Sequence, residues 1–219
     1  MDSKILILMS VNALTLCGNA SQAATCNGDP YIECFVGDTG SGGGVVFYKA
    51  PTRQTWGQYL EAAPATWYDG TTDPAATWCS NTTTYLPSAL DGSRKTSTTS
   101  NALGQGWSNT ERMFRDCIYG AGNIAWNYNG GGKTDWYLPS QAELQALFTQ
   151  AATVNLPQGF ACYWSSTEAI KKSQGMSSAG AEKSYQGESP GDAWLRNLLF
   201  GESTSKKSSA CQVRPIRHF

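Results

Sequence analysis

The chain has 219 residues, 16 basic and 17 acidic side chains, and a formal net charge of −1. That near-neutral balance excludes a general nucleic-acid binder, which needs a basic excess to meet phosphate. With 40% hydrophobic but only 15% charged residues, and with 23 Gly and 8 Trp, the composition is that of a globular, turn-rich, aromatic-packed domain rather than a helical bundle.

The first 24 residues read as a secretion signal. Lys4 supplies a thin positive start, ILILMSVNALTLC a short apolar stretch, and ASQAAT the small residues of a cleavage site ending at Ala24. The apolar stretch is too short to span a bilayer, and no transmembrane segment is expected. A lipid anchor at Cys17 is disfavoured because bulky Leu16 precedes it. The expected location is therefore secreted or at the cell surface, with residues 25–219 forming one domain. Beyond Cys17, six cysteines remain: Cys26, Cys34, Cys79, Cys117, Cys162 and Cys211. Their number is even and none has C-x-x-C spacing, which points to disulfides in an oxidising compartment rather than to zinc. Counting does not choose among the pairings. Joining sequence neighbours, Cys26–Cys34, Cys79–Cys117 and Cys162–Cys211, is the working expectation.

In chain order, GDTGSGGGVVFYKA (37–50) is a glycine-rich turn feeding a strand at Val45–Tyr48. A phosphate-binding loop has the reverse order, strand before glycines and helix after, so a nucleotide site is not expected. A second strand is predicted over 58–67, ended near Pro64. From Asp69 to Asn109 the chain is polar and aperiodic, a long loop packed down by Trp78, Tyr85 and Trp107. A helix is predicted within 109–128, with Met113, Cys117 and Ile118 on one face and Gly120 and Gly122 ending or interrupting it. The run GGGKT (130–134) imitates a P-loop but has Asn127 where the first glycine belongs. In PSQAELQALF, Ser140 and Glu143 form a capping box that starts a helix over about 141–151. Strands are predicted at 160–167, 192–201 and 210–219, and a polar loop over 169–191.

Catalysis has few candidates. With His218 the single histidine, Ser165–His218 is the candidate serine–base pair. Cys162 is expected in a disulfide, and the Glu168 and Asp192 carboxylates have no spacing that sets their separation. DGTTD (69–73) is the only calcium-like stretch and lacks the EF-hand pattern. No catalytic residue, metal or cofactor is expected. Binding chemistry is richer. Lys171, Lys172, Tyr185, Gln186, Trp194, Arg196 and Asn197 combine rigid aromatic area with directional donors, as a ligand-binding face requires. Lys206, Lys207, Arg214 and Arg217 are a candidate basic patch for sulfated polymers, against the alternative of a solvated strand face. In CYWSSTE (162–168), Cys162 anchors a bridge, Trp164 packs inward, and Ser165, Ser166 and Thr167 satisfy backbone groups.

The ordered motifs GSGGGVVFY, YLEAAP, GGGKTDWYLPSQAELQALF, YWSSTE, AWLRNLLFG and VRPIRHF resemble those of the bacterial Lcl C-terminal domain family, over residues 37–219. The resemblance implies an α+β, C-type-lectin-like fold. It would have small mixed sheets, N- and C-terminal strands paired together, two helices and long loops that present ligand. It further implies an adhesin or surface-recognition module for a glycan or protein, and the founding member is associated with glycosaminoglycan binding. The chain lacks the collagen-like repeats of that member and the EPN and WND motifs of calcium-dependent lectins, so neither trimerisation nor calcium-mediated sugar binding is implied. Oligomeric state and ligand identity stay open. The wider fold includes retroelement-diversified variable receptors and formylglycine-generating enzymes, the two alternatives in function. The enzymes use a reactive cysteine pair, which only Cys162 and Cys211 could imitate here.

Overall fold

Eight short strands and three α-helices follow one another in a computed structural model that describes residues 26, 32–70, 72–87, 92–94, 97–157, 159–169 and 190–219. The predicted signal and most of the polar loop at 169–191, with Lys171, Lys172, Tyr185 and Gln186, lie outside these residues. The architecture is α+β. Strands β1 (Val45–Gln54) and β2 (Gly57–Ala62) form an antiparallel hairpin, and the last strand, β8 (Ile216–His218), pairs with β2 to close a three-stranded sheet. The second sheet has five strands. They are β3 (Ala75–Ala76), β4 (Tyr163–Glu168), β5 (Asp192–Asn197), β6 (Gly201–Lys206) and β7 (Cys211–Gln212), in the order β3-β7-β4-β5-β6. The β4–β7 pair is parallel; the others in this sheet are antiparallel.

The predicted helix at 109–128 is two helices, α1 (Gly106–Asp116) and α2 (Ala121–Trp126), so the described residues contain one helix more than the resemblance implies. The break has two physical causes. Cys117 is tied to Cys79, and its backbone leaves the helical region. Gly120 takes φ 147°, and a Cβ there would lie 2.6 Å from the Trp78 carbonyl oxygen, so only glycine fits. The third helix, α3 (Gln141–Thr149), begins at the predicted capping box: Ser140 Oγ accepts from Glu143 N, and Glu143 Oε2 accepts from Ser140 N. Glu143 goes further, since its carboxylate also accepts from Gly104 N and Gly106 N and so fixes where α1 starts. The predicted strand at 192–201 runs only to Asn197, and 210–219 is split into β7 and β8.

All three expected disulfides are present, Cys26–Cys34, Cys79–Cys117 and Cys162–Cys211. The apolar interior falls into a cluster between the five-stranded sheet and α1–α2, around Trp78, Leu138 and Trp164, and a second between the three-stranded sheet and α3, around Leu60, Leu147 and Ile216. A small third cluster gathers Val46 and Tyr59 against Cys26 and Cys34. Trp78, Trp136 and Trp164 are fully buried, and their indole N–H groups all donate to carbonyls, those of Ser165, Gly130 and Ala76 respectively. Among the described residues, no helix is long and apolar enough to cross a membrane.

Candidate functional site: an uncharged groove beside α1 and α2

The motif residues are the wiring of the fold. Arg214 lies fully buried and grips Asp73 through Nε and Nη2, each at 2.8 Å, while its Nη1 donates to the carbonyls of Ala63 and Val154. Asp73 also accepts from Trp67 Nε1 at 2.7 Å and Tyr163 OH at 2.6 Å. Lys207 pairs with Glu168 at 2.6 Å, both side chains fully buried, with its ammonium 4.7 Å from the Trp78 ring centre. Glu168 accepts in addition from Leu86 N and Ser97 Oγ. Arg217 holds Asp135 bidentately and reaches Glu61 Oε1 and Ser41 Oγ. The glycines of GSGGG are required here: a Cβ on Gly42 would meet Glu61 Oε1 at 2.5 Å and the Trp136 ring at 2.6 Å.

Electrostatics follow from burial. Glu61 is pushed above the ordinary carboxylate value by desolvation, which outweighs its bonds from Arg217 and Gly42 N. Desolvation opposes ionisation of Asp135 too, but its two bonds from Arg217 win and hold it below the usual range. Lys207 is lowered by burial despite Glu168.

These contacts correct the reading of the late cations and place the other candidate groups. Lys207, Arg214 and Arg217 form no basic patch and no solvated face, because each is buried in an ion pair; Lys206 alone of the four is exposed, bound to Asp192. In DGTTD, Asp73 is held by Arg214, and among the described residues no group of three or more metal-ligating side chains forms. Ser165 and His218 do not meet. Ser165 Oγ donates to the Trp194 carbonyl, and His218 Nδ1 lies 3.1 Å from Tyr137 OH. Cys162 and Cys211 are joined to each other. The rest of YWSSTE behaves as read: Trp164 is buried, Ser166 Oγ donates to the Pro139 carbonyl, and Thr167 Oγ1 accepts from Gln141 N.

Of the predicted ligand-binding residues, the structure describes three, all on β5. Trp194 is half-buried and pairs across the sheet with Thr204. Arg196 stands 5.8 Å over the Phe148 ring. Asn197 is engaged internally, its Oδ1 accepting from Leu199 N and Phe200 N and so shaping the β5–β6 turn.

A different surface has the geometry of a site. Phe114, Ile118, Tyr119, Gly120, Asn123, Ile124 and Asn127 on the α1–α2 side, with Ala76 of β3 and Thr77 just after it, line a groove of about 570 Å³, within the size range of small-ligand sites. Ile118 is 88% exposed and Tyr119 62% exposed. Side chains of this kind normally sit inside, yet the corner that carries them is held rigidly outward. Cys117, just before them, is bridged to Cys79. Ile118 N donates to Ser80 Oγ at 2.9 Å, Ser80 N donates to the Tyr119 carbonyl at 2.9 Å, and Ala121 N donates to the Thr77 carbonyl at 2.8 Å. Phe114 is backed by Trp126, their rings stacked 5.5 Å apart, with Trp107 behind. Asn123 Nδ2 donates to the Cys117 carbonyl, while its buried Oδ1 has no partner among the described residues.

The helix predicted within 109–128 placed Ile118 on one face with Met113 and Cys117. Met113 and Cys117 are buried as expected, but Ile118 turns out because the helix stops at Cys117. The signal that could have located the site is CIYG itself, an apolar pair between a bridged cysteine and a glycine. No protein-family model matches the chain, and no curated protein matches it.

Proposed function

We propose that the protein is an exported recognition module of C-type-lectin-like architecture, which binds a glycan or protein ligand through the groove beside α1 and α2. The carrying observation is the Ile118–Tyr119 corner. Two large apolar side chains are exposed on a segment fixed by a disulfide and by hydrogen bonds to Ser80 and Thr77. A surface already ordered before binding loses little conformational entropy on association, which favours recognition. Export is supported by the three disulfides, which persist in oxidising compartments. The buried state of the motif charges supports the same division of labour, since groups bonded within the core are not available to a ligand.

The test is binding by the full oxidised chain on printed glycan and protein arrays, with the Tyr119→Ala variant in parallel. Tyr119 is exposed, so the variant is expected to melt as the parent does while its retained signal falls about tenfold. Equal signal from both proteins contradicts the assignment.

A further inference from the structure

The groove's chemistry narrows the ligand. We infer that it takes a neutral, polyhydroxylated molecule, an uncharged glycan, as its ligand; this rests on the recognition reading above. None of the nine described residues that line it is charged. On the adjoining helix, Arg112 bonds the Thr98 carbonyl, and Arg115, although exposed, is paired with Glu111. A sulfated or otherwise anionic polymer needs unpaired basic groups along its path, and the described lining offers none.

What it does offer fits a sugar ring. The Tyr119 ring is exposed and stacks on no other ring among the described residues, so its face is free to lie against the apolar C–H face of a pyranose. Polar groups of the amide and hydroxyl type stand around it. Asn127 is exposed, and Thr77 and Asn123 border the groove. Carboxamides both donate and accept, which matches the paired donor and acceptor character of sugar hydroxyls.

An extended peptide fits less well. Peptides that join a sheet edge need free backbone groups there. Beside the groove, the carbonyl of Ala76 accepts from Trp164 Nε1, that of Thr77 from Ala121 N, and that of Trp78 also from Ala121 N. The three carbonyls a peptide strand would meet there are already taken, which disfavours strand addition.

The experiment is a glycan array carrying neutral and sulfated sugars beside a protein array, followed by calorimetric titration of the strongest hits. The full oxidised chain is compared with Tyr119→Ala, Asn127→Ala and, as a control on a separate exposed surface, Phe200→Ala. The inference predicts that neutral oligosaccharides bind and that the affinity changes less than about twofold on raising salt to about 0.5 M, because no ion pair is involved. It predicts a loss of about tenfold in each groove variant and none in Phe200→Ala. Binding confined to sulfated glycans and weakened by salt overturns it. So does groove-dependent binding of proteins alone, which leaves the recognition reading standing. Failure of every ligand to depend on Tyr119 overturns both.

Discussion

Lys207 and Glu168 show at the scale of single residues why charge in this chain is structural. Both side chains are fully buried, and together they satisfy Thr84, Leu86 and Ser97. Removing one partner strands the other charge in a low-dielectric interior, at about 3–5 kcal/mol. Lys207→Met is therefore expected to lower the unfolding free energy in urea by about that much, and the double variant Lys207→Met/Glu168→Leu to regain most of the loss. Equal destabilisation by single and double variants would contradict the pairing. His218 carries a pH dependence. Burial holds its imidazole below the ordinary histidine value, and the Asp135 charge only partly offsets this. The unfolded chain then takes up the proton first as pH falls, so this residue's contribution to stability is complete above the ordinary value and declines through about pH 6.5 and below. Glu61 and Glu143, both raised chiefly by burial, work in the opposite sense at acid pH. Those carboxylates are common to the parent and to His218→Gln, so the stability difference between the two proteins isolates the histidine. That difference should shift in favour of His218→Gln between pH 7 and about 5, followed by urea unfolding at each pH. A difference independent of pH would show that His218 titrates normally.

Among the elements, the corner between α1 and α2 is the decisive one. Its disulfide closes a loop with a sequence separation of 38, for which chain entropy suggests a contribution of about 4 kcal/mol. Replacing both Cys79 and Cys117 by Ser is expected to cost about that much stability and to speed amide exchange at Ile118 and Ala121, whose N–H groups bond to Ser80 and Thr77. Unchanged exchange at those amides would mean that hydrogen bonds alone fix the corner. The helix break was legible in part. Gly120 marked an interruption, and α2 does start after it, but Met113 and Cys117 keep helical spacing, and the bridge to Cys79 where α1 ends is a tertiary constraint that a residue pattern does not register. The capping box of α3 was legible because both of its bonds lie within one turn of chain. Strand β3 has two residues and was invisible, since its only sheet pairing comes from β7, far along the sequence.

For the whole molecule, the sequence carried the even cysteine count and the inward role of Trp164, because these depend on parity and short-range alternation; the α+β class came from the motif resemblance, and the pairing of sequence neighbours was a working expectation that the three disulfides match. It did not carry the fate of the charges. Arg214 and Arg217 lie near the end of the chain, while Asp73, Asp135 and Glu61 lie far upstream, and only folding brings them together. A reading by exposure rules placed those cations at the surface and placed recognition on the 169–197 segment. The structure puts the charges inside and leaves aromatic and amide side chains to line a groove on another face. The most direct test is a hydrogen–deuterium exchange footprint of the full oxidised chain with and without a neutral glycan taken from the array. Protection on binding is expected across Phe114–Asn127, with Asp192–Asn197 unchanged. Protection confined to Asp192–Asn197, with the groove unaltered, would contradict the account.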